Sequence, residues 1–218
     1  MKDVYDFAKY FLKCEDATIA NTYDGNMRLQ KLLVLANLIS IAEYNIPLFD
    51  DEILAFEHGC VVEKVRLRYK NDYAGFKKDS DSYQPDFSED EYNVLRLTMN
   101  IFGRSKPREL SDVHHSFRFW KNAYENGLKQ GGGFHDKSLS VVDMLSQNED
   151  IETVRSLIDS FKRSAQDVEA REVINGITFH YDGFLLTDNM IKQLEKFSLS
   201  AEDTDYSVYL DNGSLVVY

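Results

Sequence analysis

AFEHGCVVEKVRLRY, residues 55–69, sets a histidine, a glycine and a cysteine between flanks of helical spacing. It is either a thiol beside its base or a bend joining two helices. On one helix His58 and Cys60 would point to different sides, while at a bend they could approach. No Asn or Asp nearby is placed to orient a thiolate–imidazole pair, so Cys60 reads as a buried, inert thiol. The expected structure is a helix ending near Gly59, where a positive φ is tolerated, and a second helix from Val61 to about Tyr69.

Upstream, Pro47 interrupts the chain and Asp50 or Asp51 is suited to cap a helix from Glu52. Before it, Met27 to Tyr44 carries apolar residues around most of its circumference, which predicts a central helix entered through a turn at Asp24 and Gly25. Val4, Phe7, Ala8, Phe11 and Leu12 repeat at i, i+3, i+4, i+7 and i+8, the stripe of an amphipathic first helix. Downstream, the polar run from Asn71 to Phe87 has the character of a mobile loop. Ser88 and Glu91 form a capping box for a helix ending at Gly103. Further helices fit Pro107 to His115, Phe117 to Leu128, Ser140 to Gln147 and Ile151 to Arg163, with Gly131, Gly132 and Gly133 as a flexible joint.

After about Lys162 the pattern changes. VINGITF places Asn175 and Gly176 between β-branched residues, a strong hairpin signal. Asp182 and Gly183 suggest a second turn, Thr187 caps a short helix with Ile191, Leu194 and Phe197 inward, and YSVYLDNGSLVVY closes a final hairpin around Asp211, Asn212 and Gly213. The fold class read from these patterns is mainly α, with a small C-terminal α+β appendage. The expected boundaries are a helical domain over 1–150, a connecting helix over 151–164 and the extension over 165–218.

Apolar residues form 43% of the 218, enough for a core, and no apolar run approaches the length of a membrane span. The opening MKDVYDFAKYF lacks the apolar region of a secretory signal, and two isolated cysteines, Cys14 and Cys60, suit a reducing cytoplasm. With 25 basic and 37 acidic residues the net charge is -12, which repels phosphate backbones and makes nucleic acid a poor partner, despite a basic stretch between Lys64 and Lys78. Adjacent His114 and His115 lack the spacing of metal ligands on one helix face, and Gly131 to Gly133 lack the strand before and the GKS or GKT after that a phosphate cradle needs. No metal, cofactor or catalytic set is expected.

Three segments together resemble a known family: MRLQKLLVLANLI (27–39), IPLFDDEILAFEHGCVVEKVRLRYK (46–70) and RELSDVHHSFRFWKNA (108–123). They are similar to the Panacea domain, the SocA-like antitoxin domain also seen in phage-associated proteins of the GepA type. Its usual pattern has an LQKLLY helix, a PLF loop, an HGPV bend and an LS…H…W segment. The matching residues here are Leu29, Gln30, Lys31, Leu32 and Leu33; Pro47, Leu48 and Phe49; His58, Gly59 and Val61; and Leu110, Ser111 and Trp120 with His115 or its neighbour His114. Cys60 stands where the family usually has proline, so the thiol is no part of a shared chemistry. The resemblance covers about residues 1–150 and says nothing of the rest.

It implies a compact multi-helix body and an antitoxin that neutralises a cognate protein toxin by direct binding, in some members by delivering it to a cellular protease. A phage or mobile-element protein directed at a host defence factor would use the same binding mechanism, and a His-dependent metal hydrolase built on His58 and His115 is the enzymatic alternative. For a binding face, aromatic and arginine anchors are the residues to expect. Tyr69, Tyr73, Phe76, Arg118, Phe119 and Trp120 are the candidates.

Overall fold

The computed structural model describes residues 2–14, 19–166, 170–181, 184, 186–211 and 214–218. The chain divides into two compact units, Met1–Arg155 and Ser156–Tyr218. In the first, α1 (Val4–Cys14) buries the expected stripe of Val4, Phe7, Ala8, Phe11 and Leu12. The central helix α2 (Tyr23–Tyr44) starts earlier than the apolar pattern does, because the Thr22 hydroxyl accepts from the Gly25 N–H and caps it. It is buried on nearly every side from Arg28 to Ala42, with α1 and later elements packed around it. Its polar residues have partners. Asn37 Oδ1 accepts from the N–H groups of Leu48 and Phe49, and Ser40 donates to Ile46, fixing the loop that contains Pro47.

The stretch from Ile53 to Val62 overturns the helix expected from Glu52 to Gly59 and delays the start of the second. It forms an antiparallel hairpin, β1 (Ile53–Phe56) and β2 (Gly59–Val62), with Ala55 opposite Cys60 and Phe56 opposite Gly59. Gly59 takes its expected positive φ of 97°, but in a turn between strands. Helix α3 (Glu63–Asn71) follows directly. The reason lies in the edges. β1 is flanked by residues 140–142, with the Ala55 N–H donating to Ser140 and the Val142 N–H to Ile53. That pairing also replaces the helix expected over Ser140 to Gln147; only a single 3-10 turn, Lys137–Leu139, precedes it.

The run expected to be a loop contains α4 (Tyr73–Ser82), capped by Asp72, whose carboxylate accepts from the Gly75 N–H. It packs on α1: the Ser80 hydroxyl donates to Lys9, and Phe76 meets Tyr5 edge-on. Helix α5 (Glu89–Phe102) carries the capping box of Ser88 and Glu91. The buried guanidinium of Arg28 donates to the carbonyls of Gly103 and Ser105 just past its C-terminal end, where a cation is favoured. Then come α6 (Pro107–Ser116), α7 (Arg118–Gln130) and α8 (Asn148–Gln166).

Helix α7 has no cap from its own N-terminal neighbour. Buried Asp150 supplies it, one oxygen accepting from the Arg118 N–H at 3.1 Å and the other from the Phe119 N–H at 2.8 Å. Replacing Asp150 with alanine should destabilise this unit by about 2 kcal/mol, since two charge-assisted bonds are lost and the buried Phe119 N–H is orphaned. A urea titration followed by far-UV circular dichroism reads it directly; a midpoint within error of wild type would show that the cap is redundant.

In the second unit, β3 (Ala170–Ile174) and β4 (Ile177–Tyr181) form the expected hairpin, with Asn175 and Gly176 at φ 52° and 83° as a primed turn requires. Helix α9 (Asp188–Ser198), capped by Thr187, crosses over to β5 (Asp205–Asp211), which runs parallel to β4 and pairs antiparallel with β6 (Ser214–Val217). The sheet order is β3-β4-β5-β6. Ile174, Ile177, Phe179, Leu186, Leu194 and Val208 form its core, with Ile191 and Phe197 packed against them. The expected turns at Asp182–Gly183 and Asn212–Gly213 lie outside the described residues. A mainly α body with a small C-terminal sheet is what the chain builds.

Candidate functional site

Among the described residues, the outer edge of β2 has no neighbouring strand. Three polar side chains do that work. Gln30 Oε1 accepts from the Val62 N–H at 2.9 Å, and Lys31 Nζ donates to the Cys60 carbonyl at 3.1 Å. From α6, His114 Nδ1 accepts from the Cys60 N–H at 3.3 Å, while its Nε2 donates to the Lys31 carbonyl at 3.3 Å. Those partners fit the neutral Nε2–H tautomer, because a proton on Nδ1 would face the Cys60 N–H. Burial, with the Lys31 ammonium second, holds His114 well below the usual histidine pKa. The turn is held from outside as well: Ser111 donates to the His58 carbonyl and the Trp120 indole N–H to the Phe56 carbonyl, both at 2.9 Å.

Beside this network opens a cleft of about 630 Å³, between the N-terminal half of α2, the hairpin turn and α3. Lys31 lies in its floor at 1% exposure, with Gln30, His58, Arg66 and Lys70 among the other lining residues. Burial pulls the Lys31 ammonium down to about 8, and pushes the Cys60 thiol up to about 12, so Cys60 stays protonated. Arg66 is closed by Glu63 through two bonds of 2.6 and 3.0 Å, which, with Lys137, hold the Glu63 carboxyl below its usual range.

The residues picked out for motif and interface separate clearly. Leu29, Leu32 and Phe49 are core, and Pro47 is half-buried in the loop held by Asn37. His58 projects from the turn, exposed, with its ring edge-on to Tyr23. The histidine that binds the hairpin is His114; His115, one step round the helix, stacks on Trp120 with ring centroids 4.1 Å apart. Tyr69, Phe76 and Phe119 are corrected as interface anchors: each is 1% exposed, and apolar rings of that size fill the core. Tyr73 is half-buried, its hydroxyl donating to the Ile19 carbonyl. Trp120 is half-buried between His115 and Tyr124, and Arg118 is exposed and ion-paired with Glu149. Among the described residues no group of three or more His, Cys, Asp or Glu is placed to hold a metal.

Residues 29–121 match the family model described as Antitoxin SocA-like, Panacea domain. Over that span the chain is similar to the Panacea domain. That span runs from the buried face of α2 through the hairpin to α7, and so contains Gln30, Lys31, Cys60, His114 and Trp120. Within the matched span the Cys60 N–H, which a proline at that position would lack, is donated to His114. No curated protein and no solved structure matches the chain.

Asn37 and Asp150 were not singled out in the sequence. A signal existed for Asn37, a polar residue within an apolar helix that must find a buried partner. For Asp150, which caps a helix 31 and 32 residues away in sequence, there was none.

Proposed function

We propose that the chain is the antitoxin of a toxin–antitoxin pair, acting by direct, stoichiometric binding of a cognate protein toxin. The match of residues 29–121 to the SocA-like antitoxin model carries this reading. The chemistry of the domain is compatible with a non-catalytic role: Cys60 is held as a thiol by burial, and both ring nitrogens of His114 are bonded to backbone. Among the described residues no helix is long and apolar enough to cross a membrane, and the reading places the protein in the cytoplasm with its toxin.

An interface of about 1,600 Å² with a few aromatic or arginine anchors suffices for tight binding. Of the six candidate residues, Arg118 and Trp120 remain available on α7, with Tyr73 on α4, and we assign the toxin-facing surface to them. The C-terminal unit would then tune partner choice, and β6, an edge strand, offers a place for strand addition. Delivery of the toxin to a protease is the finer form of the same mechanism. Co-expression with the neighbouring gene tests the reading. A neighbour that stops growth alone, is rescued by this chain and co-purifies with it near one to one is the expected result; a harmless neighbour that forms no complex would refute the pairing.

A further inference from the structure

The cleft beside the hairpin ends on a cation that the fold does not neutralise. Among the described residues Lys31 forms no ion pair, and its ammonium, with three N–H donors, has the Cys60 carbonyl as its hydrogen-bond acceptor. A buried charge without a counterion costs free energy that one carbonyl offsets only in part. The surrounding groups do not supply the missing negative charge. Cys60 is protonated, His114 is neutral, and His115 is also held below its ordinary pKa by burial. Arg66 and Lys70 add positive charge on the α3 side, although Arg66 is occupied by Glu63, and Glu57, the acidic residue of the lining, sits exposed in the turn.

The remaining walls are largely apolar, with Met27, Phe56 and Val61 among them, and the volume falls in the ordinary range for small-ligand pockets. A second negative charge would find no second free, buried cation, which favours a monoanion over a phosphate. We propose that this cleft binds a carboxylate borne on an apolar body, the carboxylate pairing with Lys31 and the body lying against Met27, Phe56 and Val61. The antitoxin reading is not needed for this, and either can stand without the other.

Titration calorimetry on the full chain tests it with two probes: benzoate, and a short peptide with one glutamate between apolar residues. Saturable binding of either supports the site; benzoate alone assigns a free acid, and the peptide alone assigns a partner's side chain. The sign with pH is fixed, since Lys31 is charged below its pKa. Affinity should be full below about 8 and weaken by roughly tenfold per pH unit above it. Lys31→Met should weaken binding by at least about tenfold, the loss of one buried charge-assisted pair. Failure of both probes to bind overturns the proposal, as does equal binding by a folded Lys31→Met. Should that variant not fold, the wild-type profile decides, and affinity that stays flat on both sides of pH 8 sinks the site.

Discussion

Replacing His114 with alanine should destabilise the N-terminal unit by about 3–5 kcal/mol, from a buried cavity and an orphaned Cys60 N–H. The ring is fully buried and joins the Cys60 N–H of β2 to the Lys31 carbonyl of α2. Without it, the Cys60 N–H loses its acceptor, and the Lys31 carbonyl loses the imidazole donor. The urea midpoint of the alanine variant measures the loss; a shift of under about 1 kcal/mol would mean that water replaces the imidazole. There is also a pH arm. His114 stays neutral when folded but accepts a proton when unfolded, so its native pKa is the lower one. Its contribution is fully present above the ordinary histidine value of about 6.5 and drains away as pH falls below it. His114→Gln, which cannot titrate, should flatten that part of the acid-side decline, whereas an unchanged slope would assign the decline to other groups.

Gly59→Ala is the second large effect, at about 3 kcal/mol. The position has φ 97°, and a Cβ there would lie 2.9 Å from His114 Cβ and 3.0 Å from Lys31 Cε and Nζ. Backbone strain in a left-handed region and overpacking each cost on the order of 1–3 kcal/mol. Gly176→Ala separates the two terms, since φ there is 83° but nothing lies within 4 Å. It should cost only about 1 kcal/mol, the conformational share. Equal losses at the two sites in thermal or urea melts would show that the contacts with His114 and Lys31 carry no weight.

Both variants probe a place where local reading failed. Residues 52–59 have helical spacing, and Gly59 was correctly read as a positive-φ position, yet Ile53–Val62 is a hairpin and the helix begins at Glu63. What makes a two-stranded ribbon tenable is the treatment of its edges: residues 140–142 along β1, and Gln30, Lys31 and His114 along β2. The three side chains along β2 lie 29 to 54 residues in sequence from the strand residues they bond, beyond any window of periodicity. Tyr69 and Phe76 failed for a related reason. The neighbours of Phe76 are polar and charged, which suggested an exposed loop, but α4 turns it onto α1; Tyr69, at the end of an expected helix, reaches the carbonyl of Ala20 with its hydroxyl.

By itself the sequence determined the features whose causes are local. The stripe of α1, the capping box before α5, the all-round apolar character of α2 and the Asn175–Gly176 turn each follow from residues within about two helical turns of one another. The motifs that mark the Panacea domain were legible in the same way, as residue types at fixed spacing. Tertiary structure alone decided which of two adjacent histidines is buried, since neighbours on a helix face directions about 100° apart: His114 is enclosed against Cys60, while His115 lies against Trp120. It decided, too, that Gln30 and Lys31 serve a strand edge and that a lone ammonium floors a cleft. Buried polar groups must be matched by partners, and in this chain those partners come from distant parts of the sequence.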